Sequence, residues 1–248
     1  MRKDRGFAEL ERSGRSLYDD RQNAAKASGG KSNRVIHSWF KKLLLVLELK
    51  GNLLDFGAGK GVLTKSILRL DRFDSITAAD LMVPPPDLPK QVNWITADLN
   101  EPLKLPDGLF DVIVAAEVIE HLENPRAIAR EWLRLLRPHG KLILSTPNNE
   151  SWRSILSLLF QGHYALFQSN SYPAHITPLL RCDIARCLTE AGFENPVFVF
   201  TDYGTLPKFP KLRWQDISCG LLKGLRYSDN LLAMASKPKE VLQLPIFR

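Results

Sequence analysis

Four acidic residues stand at the ends of four apolar runs, and this repetition suggests one binding site. They are Asp55, Asp80, Asp98 and Glu117, which follow the apolar runs at residues 53–54, 75–79, 92–97 and 110–116. Because the carboxyl ends of parallel strands meet at one edge of a sheet, these side chains would line a single acidic cleft. Each of them alone could be an ordinary turn or helix-capping residue. The occurrence of four such residues, each at the end of a predicted strand, favours a binding site.

The first acidic residue opens a turn over residues 55–61 that has glycine at positions 57, 59 and 61. Glycine accepts positive φ and lacks Cβ, so a ligand can approach the bare backbone there. A dinucleotide turn would read Gly-x-Gly-x-x-Gly and hold a pyrophosphate at the next helix. Here the third glycine comes one place early, and a carboxylate at Asp55 would repel phosphate. The turn therefore favours a cationic group such as an α-ammonium.

The next two acidic residues, Asp80 and Asp98, suit the sugar and the base of a nucleoside. Asp80 follows the second predicted strand, where a carboxylate can make a bidentate hydrogen bond to ribose hydroxyls. Asp98 and Leu99 form a polar and apolar pair suited to an adenine amino group and ring.

Together these segments resemble the class I S-adenosylmethionine-dependent methyltransferases over roughly residues 30–202. The resemblance rests on the turn at 55–61, on Asp80 and on the segments 97–99, 116–122 and 136–144. In the last segment, His139 stands in the middle of the family's Pro-Gly-Gly turn. The resemblance implies S-adenosylmethionine as cofactor. The residues that we assign to it are Asp55, Gly57, Ala58, Gly59, Gly61, Asp80, Leu81, Asp98, Leu99 and Glu117.

The order of apolar and amphipathic segments predicts a doubly wound α/β fold, and the resemblance implies that it is of the Rossmann-like methyltransferase type with an edge hairpin. We expect a doubly wound, mostly parallel seven-stranded sheet with helices on both faces and a C-terminal antiparallel hairpin at residues 196–201 and 230–236. An amphipathic helix is predicted over residues 34–49, and another from Pro125 to Arg137 with Asn124 as its N-cap. The expected organisation is a basic flexible arm at residues 1–30 and one domain at 31–248, with a cofactor core at about 50–148, a substrate lid at about 149–180, and a C-terminal helix and edge hairpin at about 181–236.

Composition agrees with this interpretation. The 248 residues are 44% apolar, enough for one large core. Three cysteines, Cys182, Cys187 and Cys219, give neither a metal-type spacing nor an even disulfide set, which favours a reducing compartment. We find no signal-peptide pattern and no run near the roughly 18 apolar residues of a membrane span. We therefore expect a cytoplasmic protein, with the inner membrane surface as an alternative location.

The net charge of +7 is concentrated near the start of the chain. Residues 1–50 hold 12 Lys and Arg against 6 Asp and Glu. Such an arm could attract nucleic acid, anionic lipid or a phosphorylated substrate, or it could be a solvated tail. Residues 151–167 are unusually apolar for a loop. They could form a lid over the reacting group, a surface that touches lipid, or a packed helix.

Two histidines could remove a proton from an acceptor hydroxyl, namely His121 and His175, although either could be purely structural. Glu117, Glu120 and His121 could instead bind a divalent ion such as Mg²⁺ that lowers the acceptor pKa. The Glu-x-x-Glu-His segment resembles the metal-assisted O-methyltransferases of ubiquinone biosynthesis and of small-RNA ends, with His175 as a further ligand. The same five letters also occur in methyltransferases for which no metal is implied.

Several enzyme classes are disfavoured by the residues after the fourth predicted strand. Neither the Asn-Pro-Pro-aromatic motif of amino-methylating DNA enzymes nor a Pro-Cys nucleophile stands there. We therefore expect O-methylation of a small-molecule, glycan or lipid-linked acceptor. The alternatives are an RNA methyltransferase that uses the basic arm and a non-catalytic adenosylmethionine-binding protein; a dehydrogenase fits less well. The sequence leaves the oligomeric state open.

Overall fold

Apolar runs that end in acidic residues form the parallel centre of one sheet. The computed structural model describes residues 17–30 and 32–239, and their main sheet has seven strands. The strands of the described chain are β1 (Gly51–Phe56), β2 (Phe73–Asp80), β3 (Val92–Thr96), β4 (Phe110–Ala116), β5 (Leu136–Pro147), β6 (Glu194–Phe200), β7 (Thr205–Leu206), β8 (Phe209–Arg213) and β9 (Asn230–Ser236). The main sheet has the order β3-β2-β1-β4-β5-β9-β6, while β7 and β8 form a separate ribbon.

Helices cover both faces of the sheet because its central strands are apolar on both sides. They are α1 (Leu17–Ser28), α2 (Arg34–Val46), α3 (Val62–Leu68), α4 (Pro125–Leu135), α5 (Trp152–Gln161), α6 (Arg181–Ala191) and α7 (Trp214–Ile217). Along β4, Val112 and Val114 belong to the core under α2 and α3, whereas Ile113 and Ala115 belong to the core under α4 and α6. This alternation is the period-two pattern of a strand buried on both faces.

The strand order reverses between β1 and β4, and this places a crevice at their carboxyl ends. Asp55 on β1 is in register with Ala78 of β2 on one side and Val114 of β4 on the other. Strand β9 runs antiparallel to both β5 and β6. The predicted fold class, a mostly parallel seven-stranded sheet with a C-terminal antiparallel element, is confirmed.

Two predicted helices are present, and the predicted N-cap Asn124 is confirmed. The Asn33 side chain accepts a hydrogen bond from the Val35 amide at the start of α2, whose inner face is buried. The Asn124 side chain accepts from the Ala127 amide, and Pro125 occupies the first turn of α4.

The structure differs from the expectations in three segments. Residues 17–28 of the predicted flexible arm form helix α1, while residues 1–16, 31 and 240–248 lie outside the described chain. Strands β6 and β9 are joined by residues 201–229, which hold β7, β8 and α7 in place of a tight hairpin turn. Glu120 and His121 lie in a single 3₁₀ turn, Ile119–His121, and not in the helix that follows.

No helix within the described residues has both the length and the apolar content needed to cross a bilayer.

Candidate active site

A large cavity of about 1010 Å³ opens at the carboxyl ends of the central strands. Of the residues that the sequence assigned to a cofactor, nine line it: Asp55, Gly57, Ala58, Gly59, Asp80, Leu81, Asp98, Leu99 and Glu117. Gly61, the tenth, is not part of its lining. Both candidate bases, His121 and His175, also line the cavity.

The glycine turn has the predicted backbone conformation, and the missing side chains also allow close packing within the protein. Gly57, Gly59 and Gly61 all have positive φ, at 83°, 53° and 65°. A Cβ on Gly57 would collide with the Val118 side chain, and one on Gly59 would lie 2.6 Å from the Gly30 carbonyl oxygen. At these two positions the absence of a side chain makes room for the protein's own chain, and both glycines also line the cavity.

Asp80 holds this turn in place. Its Oδ2 accepts a hydrogen bond from the Gly59 amide at 2.7 Å, and its Oδ1 accepts from the Met82 amide at 2.9 Å. Burial raises the pKa of Asp80, and the backbone N–H donors oppose that rise. A carboxylate that lines the cavity is thereby fixed in orientation.

Asp55 is the most deeply buried acid of the cavity, at 1% exposure. Its Oδ2 accepts from the Thr64 hydroxyl at 2.6 Å. Burial raises the pKa of Asp55 to about 7; the Thr64 hydrogen bond opposes this, and the charge of Asp80 adds to it. A cation in the cavity would therefore favour the ionised form of this side chain.

Glu117 begins the loop after β4 with a left-handed backbone, at φ 58°. Such a conformation is uncommon outside glycine and often marks functional sites. Its carboxylate accepts from the Ser145 hydroxyl at 3.1 Å and from the Asn230 side-chain amide at 3.0 Å. Burial, and then the nearby Glu120, raise the pKa of Glu117 well above its usual value.

The structure brings Glu120, His121 and His175 together as a possible metal-binding group. One ligand atom from each lies within 4.8 Å of the others. Glu117, which the sequence placed in the metal set, is not a member of this group, because its carboxylate is held by Ser145 and Asn230. Glu120, His121 and His175, the last of which the sequence named as a further ligand, remain the candidate set.

Hydrogen bonds fix both imidazoles in the orientation that a metal ligand or a base requires. Nδ1 of His121 lies 2.7 Å from the Ala174 carbonyl oxygen, and Nδ1 of His175 lies 2.7 Å from that of Leu166. A carbonyl can only accept, so Nδ1 carries the hydrogen and Nε2 keeps its lone pair. This is the outer-sphere arrangement common to metal-binding histidines.

The charges of the group agree with its capacity to bind a cation. Burial raises the pKa of Glu120 to about 8 and lowers the pKa of both His121 and His175. Glu120 is fully buried, and its Oε1 has no hydrogen-bond partner within the described residues. An unpartnered buried carboxylate oxygen beside two neutral imidazoles is a favourable position for a positive charge.

A family model described as a methyltransferase domain matches residues 29–196, which is more than half of the chain. The chain belongs to the class I S-adenosylmethionine-dependent methyltransferases. Ubiquinone biosynthesis O-methyltransferases from two Xanthomonas pathovars are each 37% identical to this chain over the aligned residues. For X. oryzae pv. oryzae the alignment covers 41% of this chain and 46% of that protein; for X. euvesicatoria pv. vesicatoria it covers 60% and 65%. The chain thus spans about half to two thirds of the length of these relatives.

Solved structures share the fold at low identity. A SAM-dependent methyltransferase from Archaeoglobus fulgidus superposes with a TM-score of 0.61 at 16% identity, covering 90% of this chain and 100% of that one. A Burkholderia thailandensis 1,6-didemethyltoxoflavin-N1-methyltransferase with bound S-adenosylhomocysteine superposes with a TM-score of 0.58 at 18% identity, covering 90% and 87%.

The cavity of the methyltransferase fits the family's cofactor, S-adenosylmethionine. Its volume of about 1010 Å³ lies at the upper end of the range for ligand sites, roughly 300–1,000 Å³. It therefore has room for a nucleoside together with a second molecule. The buried carboxylates of Asp55 and Asp80 supply the negative charge that suits an ammonium group and ribose hydroxyls.

Arg21, Ser32 and His37 are among the cavity residues that were not assigned from the sequence. His37 on α2 is buried, and its Nε2 lies 2.5 Å from the Ser32 hydroxyl. Burial, and then the charge of Lys41, lower the pKa of His37. In the sequence, the position of His37 next to Ile36 on the apolar face of α2 was the available indication that His37 would be buried. Arg21 had none, because its partners are distant in the chain.

Proposed function

We propose that the methyltransferase transfers the methyl group of S-adenosylmethionine to a hydroxyl oxygen of a small-molecule acceptor. The observation that carries this proposal is a single cavity, lined both by the acids assigned to the cofactor and by His121 and His175. The name of the Xanthomonas relatives, ubiquinone biosynthesis O-methyltransferase, supports oxygen as the acceptor atom and a small molecule as its carrier.

The cofactor roles follow the positions of the acids along the cavity. We assign the ribose hydroxyls to Asp80, the adenine to Asp98 and Leu99, and the methionyl ammonium to the turn that follows Asp55. When bound, S-adenosylmethionine supplies an electrophilic methyl group on a sulfonium. The chain's own contribution is to hold and align the two reactants, which is the larger part of catalysis in such a transfer.

Proton removal from the acceptor hydroxyl falls to His121 or His175. Both imidazoles have lowered pKa values and are neutral near pH 7, with Nε2 available to accept a proton. His121 is the first candidate because it belongs to the turn directly after β4, beside Glu117.

A divalent cation held by Glu120, His121 and His175 is the alternative to a histidine base. A bound cation would lower the pKa of the acceptor hydroxyl. The expected ion was Mg²⁺, but one carboxylate and two imidazoles suit a transition metal such as Mn²⁺ better than a magnesium ion, which prefers oxygen ligands. The two roles exclude each other at His121, because one Nε2 lone pair cannot both bind a metal and accept a proton.

The rim of the cavity favours an acceptor with apolar surface. Tyr172, Pro173 and Ile176 line it, and Tyr172 and Ile176 are exposed to solvent. The lid was expected within residues 149–180, and its most apolar part, residues 151–167, does not line the cavity in the described chain. Residues from the segment 172–176 line the cavity instead. An apolar, ring-bearing hydroxyl compound fits such a rim better than a polar glycan does.

A lipid-linked acceptor is the second candidate, and the surface of α5 favours it. Leu158, Leu159 and Phe160 are 43%, 71% and 77% exposed at the C-terminal end of this helix. Such an exposed apolar group suits contact with a lipid surface.

Methyl transfer from labelled S-adenosylmethionine to a panel of phenols, alcohols and amines tests the proposal. We expect labelled methyl ethers from apolar phenols or alcohols and little transfer to amines. Transfer to amines alone, or to added RNA, would contradict it. Binding without transfer to any fraction of a cell extract would instead support a non-catalytic adenosylmethionine-binding protein.

Titration with NAD and with S-adenosylmethionine tests the cofactor assignment separately. We expect binding of S-adenosylmethionine only, weakened at least tenfold by Asp80→Ala. Unchanged affinity in that variant would count against the ribose assignment.

A further inference from the structure

Helix α1 crosses the cavity although its own packing provides little to hold it there. None of its residues is buried, and Leu17 and Tyr18 are 59% and 46% exposed. A helix without a buried apolar face gains little from the hydrophobic effect. Its position must depend on other contacts.

One arginine, Arg21, pairs with three acids outside the helix. The Arg21 guanidinium donates from Nε and Nη2 to the two carboxylate oxygens of Glu123, at 2.9 and 2.7 Å. Its Nη1 donates to Asp98 at 2.6 Å and to Glu101 at 3.3 Å. The Arg21 side chain is only 14% exposed. A two-pronged arginine–carboxylate pair is among the stronger and more directional ion pairs.

The other end of the helix is attached to the glycine turn. The Gly30 carbonyl oxygen, two residues after α1, accepts a hydrogen bond from the Lys60 amide at 3.0 Å. Gly30 also packs against Gly59. Between these two attachments, Arg21, Ala24, Ala25 and Ser28 line the cavity. Helix α1 is therefore a strap that is fixed at both ends, with the cavity beneath it.

We propose that Arg21 is a positioning residue that keeps α1 closed over the bound cofactor and so sets its dissociation rate. This inference rests on the proposed function, because it places S-adenosylmethionine in the cavity beneath α1. Arg21 also holds Asp98, the residue assigned to the adenine, and Glu123, which lies two residues after His121. One guanidinium thus joins the cofactor side of the cavity to its acceptor side.

Ion pairs at the edge of a cavity suit a reversible closure. Glu123 and Glu101 are 44% and 66% exposed, so salt screens their attraction to Arg21. Opening at this end of α1 then requires the loss of these pairs. Release of the cofactor should accordingly be faster at high ionic strength.

The test is the dissociation rate of S-adenosylhomocysteine, measured by stopped-flow displacement from the full-length protein. We expect Arg21→Ala to raise this rate at least tenfold at low salt and to remove most of its salt dependence. The matched control is Arg126→Ala. Arg126 pairs with Glu190 at 3.0 Å, with both side chains more than half exposed, and does not line the cavity.

A second variant separates closure from folding. Glu123→Gln removes one partner of Arg21 and leaves both Arg21 and Asp98 unchanged, and we expect a rate increase of about threefold or more. Melting temperatures of all variants are measured alongside, so a loss of the fold cannot be read as opening of α1.

Equal rates in the unaltered protein, Arg21→Ala and Glu123→Gln would overturn the role of Arg21 while leaving the cofactor site intact. Failure of the unaltered protein to bind S-adenosylhomocysteine would overturn the cofactor assignment itself, and this inference with it.

Discussion

The rings of His121 and His175 lie 4.8 Å apart, edge to face. The two histidines are distant in the chain, since Ala174, the residue before His175, is 53 positions from His121. Each ring donates its Nδ1 hydrogen to a backbone carbonyl, so both Nε2 atoms are left as acceptors. Fully buried Glu120 belongs to the same group. The pair is therefore prepared either for a metal ion or for a proton, and the two uses predict different behaviour.

If the group binds a metal, binding should release protons. Glu120 has a pKa raised to about 8 by burial, so below that pH a cation must displace a proton from it. We expect Mn²⁺ to bind more tightly than Mg²⁺, with an affinity that increases as the pH rises from 6 to 8. Calorimetry in buffers of different ionisation enthalpy measures both quantities.

Glu120→Gln should weaken Mn²⁺ binding at least tenfold, whereas Glu190→Gln, on the outer surface of α6, should not change it. Equal Mn²⁺ affinity in the two variants would exclude Glu120 as a ligand.

Ionisation of Asp55 should lower the stability of the ligand-free protein as the pH rises. Its folded-state pKa of about 7 lies above the ordinary value of 3.8, because burial disfavours the charge. The group's contribution to stability is thus complete below about pH 4 and is lost as the pH rises through 7. At roughly 1.4 kcal/mol per tenfold change in proton affinity, this amounts to a few kcal/mol.

The free energy of unfolding of Asp55→Asn, measured with urea, should therefore rise relative to the unaltered protein between pH 4 and pH 8. Asp74→Asn, at an exposed position on β2, serves as the control. A constant difference across this range for Asp55→Asn would contradict the raised pKa.

Alanine at Gly57 should destabilise the protein more than alanine at Gly220. Both glycines have a similar positive φ, 83° and 80°, so the backbone strain is matched at about 1–2 kcal/mol. A Cβ at Gly57 meets Val118, whereas one at Gly220 meets nothing within 4 Å. Overpacking adds about 1–3 kcal/mol at Gly57.

Urea unfolding of both variants checks this difference. Val118→Ala in the Gly57→Ala background should recover part of the loss. Equal losses at the two glycines would show that Val118 moves aside without cost.

The exposed apolar end of α5 predicts binding to lipid vesicles. We expect the protein to sediment with vesicles containing phosphatidylglycerol, and Leu159→Asp combined with Phe160→Asp to reduce the bound fraction at least fivefold. Val46→Asp, at a position on α2 that is 68% exposed, is the control. Absence of vesicle binding by the unaltered protein would remove the lipid-linked acceptor from consideration.

The sequence was sufficient to predict the sheet because each central strand carries its own signal. Apolar runs of about five to seven residues that end in Asp80 or Glu117 can be recognised locally, and the order of elements then implies parallel pairing. The ribbon of β7 and β8 was missed because strands of two and five residues give almost no periodicity. Helix α1 was missed because it has no buried apolar face and the acids that pair with its Arg21 lie 77 to 102 residues away.

The site was predicted in part for the same reason. Side chains at strand ends were correctly brought to one cavity, since parallel strands fix their separation. The sequence included Glu117 in the candidate metal group. The spacing of residues in the chain cannot reveal that Glu117 has a left-handed backbone and directs its carboxylate towards Ser145 and Asn230. His175 completes the group through the loop at 172–176, whose path no local pattern describes.

The structure of the complex with S-adenosylhomocysteine tests the central claim most directly. We predict the ribose hydroxyls on Asp80, the adenine beside Asp98 and Leu99, and the sulfur directed towards His121. A ligand bound away from the carboxyl ends of β1, β2 and β4, or in the reverse direction along them, would contradict the account.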